Sequence, residues 1–94
     1  MQDRIMVNAP SVSPAQVRAA RAWLFWSQGD LSIRSGVSQT SIARFELERS
    51  VPHTDTLTSI RNAFEAAGID FRFQGTVGTG ICGPSARHSK PKKP

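Results

Sequence analysis

Apolar residues recur at helical spacing through the first two thirds of the chain, and three serines mark where helices begin. Ser13 is followed by Gln16 three residues later, and Ser27 is followed by Asp30 at the same spacing. Ser38 precedes a third amphipathic segment. A serine at this position accepts a backbone N–H at a helix start, and the side chain three residues on can return the bond. The pattern predicts three short helices in the first half of the chain.

A fourth helix is expected to begin at Thr54 or Asp55 and to stop at Gly68, while Gly36 is suited to end the second helix in a left-handed conformation. Arg21 falls on the apolar face of the first helix. The expected core consists of the apolar residues that recur every three or four positions: Val17, Ala20, Leu24, Leu31, Ile42, Phe45, Leu57, Ile60, Phe64 and Ala67.

Apolar and polar residues alternate after Gly68, from Ile69 to Gln74, which predicts a half-buried strand. A strand needs partners for its backbone donors and acceptors. Pairing with the N-terminal residues and pairing with a second copy are both open, so a homodimer through strand 69–73 is one expectation. Residues 75–94 are rich in Gly, Ser, Pro and Lys, and we expect them to be disordered.

Residues 26–46 have the layout of a DNA-binding helix-turn-helix, in which the second helix lies in the major groove. That helix opens with small polar residues. Gln39 can pair with adenine through two hydrogen bonds, and Arg44 can reach guanine or a phosphate. Thr40 or Ser41 can donate to a phosphate or contact a thymine methyl. Gln28 follows the Ser27 cap, at a helix N-terminus suited to a phosphate.

Residues 13–71, about two thirds of the chain, resemble the lambda-repressor/Cro-like helix-turn-helix family, also called the xenobiotic-response-element type. The segments SPAQVRAAR, WSQ, GVSQTSIARFE and IRNAFEAAGIDF occur in the order typical of that family. The resemblance implies a small prokaryotic regulator of transcription, often a dimer, whose partner is double-stranded DNA. It also implies that Gln28 braces the DNA backbone and that five further residues meet DNA: Ser38, Gln39, Thr40, Ser41 and Arg44.

The expected fold class is therefore all-α: a compact four- to five-helix bundle with a short C-terminal strand. Residues 1–12 are expected to be a flexible arm, residues 13–74 the helix-turn-helix domain and residues 75–94 a disordered basic tail.

Each candidate DNA contact also has a purely structural explanation. Ser38 and Ser41 can serve only the helix start, and Gln39 can be an ordinary solvated residue, as can Thr40. Arg44 can pair with Glu48 one turn later, which is a weak surface contact.

Several departures from the family pattern favour a second hypothesis. Phe25 stands where the family often has glycine, and Trp23 adds a second large ring nearby. Ile33 points away from the core residue Leu31, and the turn after Phe45–Glu46 lacks the usual glycine. An exposed patch of Trp23, Phe25 and Ile33 would mark a protein partner.

The chain would then be a degenerate helix-turn-helix that inhibits another transcription factor as an antiactivator. An antitoxin-type regulator, which binds both a toxin and its own promoter, lies between the two hypotheses. The competing explanation is that the two rings fold back onto the body and Ile33 is an isolated surface residue.

The charge, the cysteine content and the absence of catalytic motifs restrict the range of candidate functions. The net charge is +5, but residues 13–74 carry only +1 and residues 75–94 carry +4. The helical region must therefore rely on a few placed arginines. The single Cys82 excludes an intrachain disulfide and a cysteine-based metal site, which fits a reducing cytoplasmic location. The sequence has no membrane-length apolar run, paired carboxylates or nucleophile with a neighbouring base, so we expect no membrane partner, enzyme activity, cofactor or metal.

Overall fold

The computed structural model describes residues 11–84, and this part of the chain forms four helices followed by an antiparallel β-hairpin. The elements in chain order are α1 (Pro14–Leu24), α2 (Gln28–Ser35), α3 (Gln39–Glu46), α4 (Thr54–Ala66), β1 (Asp70–Gln74) and β2 (Val77–Cys82). The fold is therefore mixed α/β, and the expectation of an all-α bundle is wrong because a second strand completes a sheet. None of the helices between residues 11 and 84 is long and apolar enough to cross a membrane.

The helix starts lie where the local sequence signals place them. Ser13 forms a capping box with Gln16, and Ser27 forms one with Asp30. The second helix ends at Gly36, whose φ of 79° is left-handed as predicted. These signals are reliable because they act within one turn of helix and need no distant partner.

One core joins the helices to the hairpin. Its central aromatic contact is the ring of Trp26, which stacks on Phe64 of α4 at 5.3 Å between centroids. Phe64 in turn meets Phe71 of β1 edge to face at 5.8 Å. Val12 is also buried, although it belongs to the expected arm; the arm's residues 1–10 lie outside the described part. The buried apolar residues are Val12, Val17, Ala20, Leu31, Ile42, Phe45, Ile60, Phe64, Ile69 and Phe71.

The hairpin corrects the prediction of a disordered tail from residue 75 onward. Residues 75 and 76 form the turn, and β2 pairs with β1 in a register that runs from Gln74↔Val77 to Asp70↔Cys82, with one irregularity between Arg72 and Phe73. The strand predicted at residues 69–73 thus has one partner within its own chain, the strand β2, which the sequence analysis did not predict. Residues 85–94 of the expected tail lie outside the described residues.

Gln16 ties the hairpin to α1 and is itself buried. Its Nε2 donates to the backbone oxygens of Arg72 and Gly80, at 2.8 and 2.9 Å, so one amide reaches both strands. Its Oε1 accepts the backbone N–H of Ser13 at 2.9 Å. Because each hydrogen-bonding group of this buried amide has a partner, its burial carries little desolvation penalty.

Two glycines allow this close packing. A Cβ at Gly78 would overlap the amide of Gln16, and a Cβ at Gly83 would overlap the indole of Trp23. Two of the four glycines that make residues 75–84 look like a flexible tail in the sequence, Gly78 and Gly83, are therefore positions where the chain lies directly against α1.

Two non-glycine residues adopt the left-handed conformation. Phe25, at the end of α1, has φ 58° and ψ 36°, and Glu48, after α3, has φ 60°. The resemblance to the helix-turn-helix family led us to expect glycine at position 25 and in the turn that contains Glu48. Phe25 is 92% exposed, so packing within residues 11–84 does not compensate for the backbone strain.

We expect Phe25→Gly to raise the free energy of unfolding by about 0.5–1 kcal/mol, because glycine has no Cβ to strain this conformation. Urea unfolding of wild type, Phe25→Gly and Phe25→Ala measures the effect. Phe25→Ala is the matched control, since it removes the ring but keeps the Cβ. A glycine variant no more stable than the alanine variant would contradict this account.

Candidate nucleic-acid interface

Helix α3 separates its residues cleanly into an inner and an outer face. Ile42 and Phe45 are buried in the core, whereas Gln39, Thr40 and Arg44 are exposed. The inner face packs against α1 and α2, which fixes the direction of the outer face. The polar side chains predicted to meet DNA therefore lie on the accessible side of a well-anchored helix.

Ser38 and Ser41 serve the start of this helix. Ser38 Oγ accepts the backbone N–H of Ser41 at 3.1 Å, and the Ser38 hydroxyl donates to Ser41 Oγ at 3.0 Å. Ser38 therefore caps the helix, which is the structural role considered for it from the sequence. Ser41 accepts the bond from Ser38, so its own hydroxyl hydrogen can still be donated to an external acceptor.

The first turns of α2 and α3 meet at one surface. The Oε1 of Gln39 lies over Gly29 of α2, at 3.5 Å from the position that a Cβ of Gly29 would occupy. Gln28, the first residue of α2, is the chain neighbour of this glycine. The fold therefore brings together the two segments that the helix-turn-helix pattern assigns to DNA.

Gln28 is half-buried and has a partner inside the protein. Its Nε2 donates to Oε1 of Glu46 at 3.0 Å. Arg21 holds the same carboxylate from the other side: its Nε lies 2.7 Å from Oε2 and its Nη2 lies 2.8 Å from Oε1. Only one of the two amide hydrogens of Gln28 is used in this contact, so the other stays available.

Glu46 is the residue at which α1, α2 and α3 meet, and its side chain is only 4% exposed. Burial by itself raises the pKa of this carboxyl. The hydrogen bonds from Arg21 and Gln28, together with the charges of Arg21 and Arg18, outweigh burial and hold the pKa below its ordinary value. Arg18 also donates to the backbone oxygen of Glu46, at the end of α3. The carboxyl is therefore ionised at neutral pH.

The sequence reasoning missed this ion pair, although one signal for it was present. Arg21 lies on the apolar face of α1, between residues of the core, and a charged side chain there needs a partner. Nothing local identified Glu46 as that partner, because the two residues lie 25 positions apart.

Arg44 remains open to solvent. Within residues 11–84 it forms no ion pair, so the contact with Glu48 considered from the sequence is absent there. Asp55 of α4 lines an open groove together with Ser38 and Ser41. The interface thus combines one accessible guanidinium with polar side chains and a bordering carboxylate.

The apolar residues of the second hypothesis differ in their environments. Trp23 is 51% exposed and its indole lies against Gly83, so it folds partly onto the hairpin. Phe25 does not fold back, and Ile33 is 83% exposed on α2. Two of the three residues are therefore fully available to a partner.

We expect Glu46→Gln to lower the free energy of unfolding by about 3 kcal/mol at pH 7, because it leaves Arg21 without its charged partner. The folded-state pKa of Glu46 is depressed, so its contribution is present at neutral pH and is lost as the pH falls below 4.5, the ordinary value, and through the folded-state pKa. Urea titrations at pH 7 and pH 3 check both statements.

The variant should accordingly lose less stability on acidification than the wild type. Glu65→Gln is the matched control, since Glu65 is in an exposed ion pair with Arg61 at 2.8 Å. This substitution should change the free energy of unfolding by less than about 1 kcal/mol. Equal acid sensitivity of wild type and Glu46→Gln would contradict the prediction.

No protein-family model matches this chain, and comparison with curated proteins also finds no match. The resemblance drawn from the sequence motifs stays a prediction.

Proposed function

We propose that this protein is a sequence-specific DNA-binding regulator of transcription, most simply a repressor, that uses α3 as its recognition helix. The observation that carries the proposal is the outer face of α3. It is polar and exposed along its length, while the opposite face is buried in the core. The first turn of α2 lies beside it, where a helix-turn-helix contacts the DNA backbone.

The dimensions and chemistry of α3 suit the major groove. An α-helix with its side chains is about 10–12 Å in diameter, comparable with the major groove's width of about 12 Å. Gln39 offers both a donor and an acceptor to an adenine edge, and Arg44 offers two parallel donors to guanine. Thr40 supplies a hydroxyl for a phosphate and a methyl group for thymine.

The charge distribution supports modest electrostatic attraction. Residues 13–74 carry a net charge of +1, so this region supplies few cations for phosphates. We propose that base contacts supply the preference for one sequence. The four cationic residues after residue 84 would add a salt-sensitive attraction to any DNA: Arg87, Lys90, Lys92 and Lys93.

We expect Gln39→Ala and Arg44→Ala each to weaken binding to the preferred sequence by about 1–3 kcal/mol, since each removes one base contact. Selection from genomic fragments identifies that sequence, and fluorescence anisotropy measures the dissociation constants. Asn62→Ala, an exposed change on α4, is the matched control and should bind like wild type. Wild-type protein that prefers no fragment, even at low salt, would refute the proposal.

A second candidate function is inhibition of another protein, as an antiactivator or an antitoxin. The specific observation in its favour is Phe25, a large apolar side chain that is 92% exposed and held in a strained backbone conformation. Ile33 is nearly as exposed. Large apolar side chains that are exposed on a protein surface often mark the site where a partner protein binds.

We expect Ile33→Asp to abolish capture of such a partner without unfolding the domain, because it places a charge in the covered surface. The partner is retrieved from native cell extract, identified by mass spectrometry, and tested again as purified protein. Asn62→Asp, which adds the same charge on α4, is the control. If purified wild type and Ile33→Asp bind the retrieved protein equally, this second function fails.

A further inference from the structure

We infer that Glu46 is a positioning residue for a DNA backbone contact and acts through Gln28, whose free amide hydrogen it presents to a phosphate. The inference rests on the proposed DNA-binding function and adds a residue that the helix-turn-helix pattern does not assign to DNA. Its basis is the hydrogen bond from Gln28 Nε2 to Glu46 Oε1 at 3.0 Å, which joins the start of α2 to the last residue of α3.

The contact fixes which way the Gln28 amide faces. A carboxylate accepts hydrogen bonds and cannot donate them when ionised, so it selects the amide nitrogen and not the amide oxygen. Because the amide is planar, one N–H bound to Glu46 sets the direction of the other. A residue that can otherwise present either a donor or an acceptor is held as a donor, which is the polarity that a phosphate requires.

The carboxylate itself is held in place. Arg21 makes two bonds to it, and only 4% of the Glu46 side chain is exposed. The same guanidinium also donates to the backbone oxygen of Trp26, just before α2, at 3.0 Å. Arg21 therefore orients Glu46 and neutralises its charge, so that the carboxylate does not repel a phosphate that approaches Gln28.

This arrangement orders Gln28 before DNA arrives. A long surface side chain normally loses rotamer freedom when it binds, and that loss weakens association. Here Gln28 has already lost this rotamer freedom on folding, because it is bonded to Glu46, which does not itself contact DNA. Replacing Glu46 by glutamine would keep a hydrogen-bonding group but would no longer select between the two orientations of the Gln28 amide.

A double-mutant cycle on the full-length protein tests the inference. Dissociation constants of wild type, Gln28→Ala, Glu46→Gln and the double variant are measured for the preferred duplex and for an unrelated duplex, at a temperature where all four are folded. We expect Gln28→Ala to weaken binding to both duplexes alike, by about fivefold, since a phosphate contact carries no sequence information.

Glu46→Gln should weaken binding to both duplexes by a similar factor, and the double variant should bind no more weakly than Gln28→Ala. A merely structural role of Glu46 would instead lower affinity equally in the presence and absence of Gln28, and that result overturns the inference. Arg44→Ala is the control for sequence preference, because it should change the ratio between the two duplexes.

NMR of the Gln28 side-chain amide in the wild-type protein is a second test, which does not depend on whether Glu46→Gln folds. We expect one of the two amide protons to shift on titration with DNA while the other, bonded to Glu46, changes little. Shifts in both protons or in neither overturn the inference. Wild-type protein that binds neither duplex overturns the proposed function and this inference with it, whereas normal binding without coupling overturns the inference alone.

Discussion

The arrangement of the first three helices depends on the buried ion pair between Arg21 and Glu46. An ionised carboxylate that is 4% exposed would be strongly unfavourable without a charged partner, and Arg21 meets it with two hydrogen bonds. Such a pair contributes little net stability compared with apolar packing, but it is specific, because other orientations of α1 and α3 would leave a charge buried alone. The ion pair thus adds to the packing of Ile42 and Phe45, which turns the polar face of α3 outward.

Helix α1 is the element through which both halves of the fold are aligned. On one side Arg21 binds α3, and on the other Gln16 binds the backbone of β1 and β2. Both side chains are polar groups placed among apolar neighbours, and both are satisfied by partners distant in sequence. The apolar core supplies the driving force for collapse, whereas these two residues determine how the helices and the hairpin lie relative to each other.

The sequence predicted the features that depend on neighbouring residues and missed those that depend on residues distant in the chain. Helix starts at Ser13 and Ser27 depend on residues three positions away, and they were predicted correctly. The bond from Gln28 to Glu46 spans 18 positions, and β2 is bonded to Gln16, 64 positions before Gly80, so neither contact could be predicted from a local pattern. Glycine has low intrinsic strand preference, and the role of Gly78 is apparent only once α1 lies beside it. Exposure of the α3 face, in contrast, follows from helical periodicity alone.

Phe25 occupies a position where the resemblance to the helix-turn-helix family led us to expect glycine. The backbone there is left-handed, with φ 58° and ψ 36°, where the chain turns between α1 and α2. Phenylalanine at this position adds strain and an exposed ring, and neither is offset by packing within residues 11–84. Stability therefore does not account for the residue. Phe25 and the outer face of α3 also belong to different elements, so substitutions can address a protein contact and a DNA contact separately.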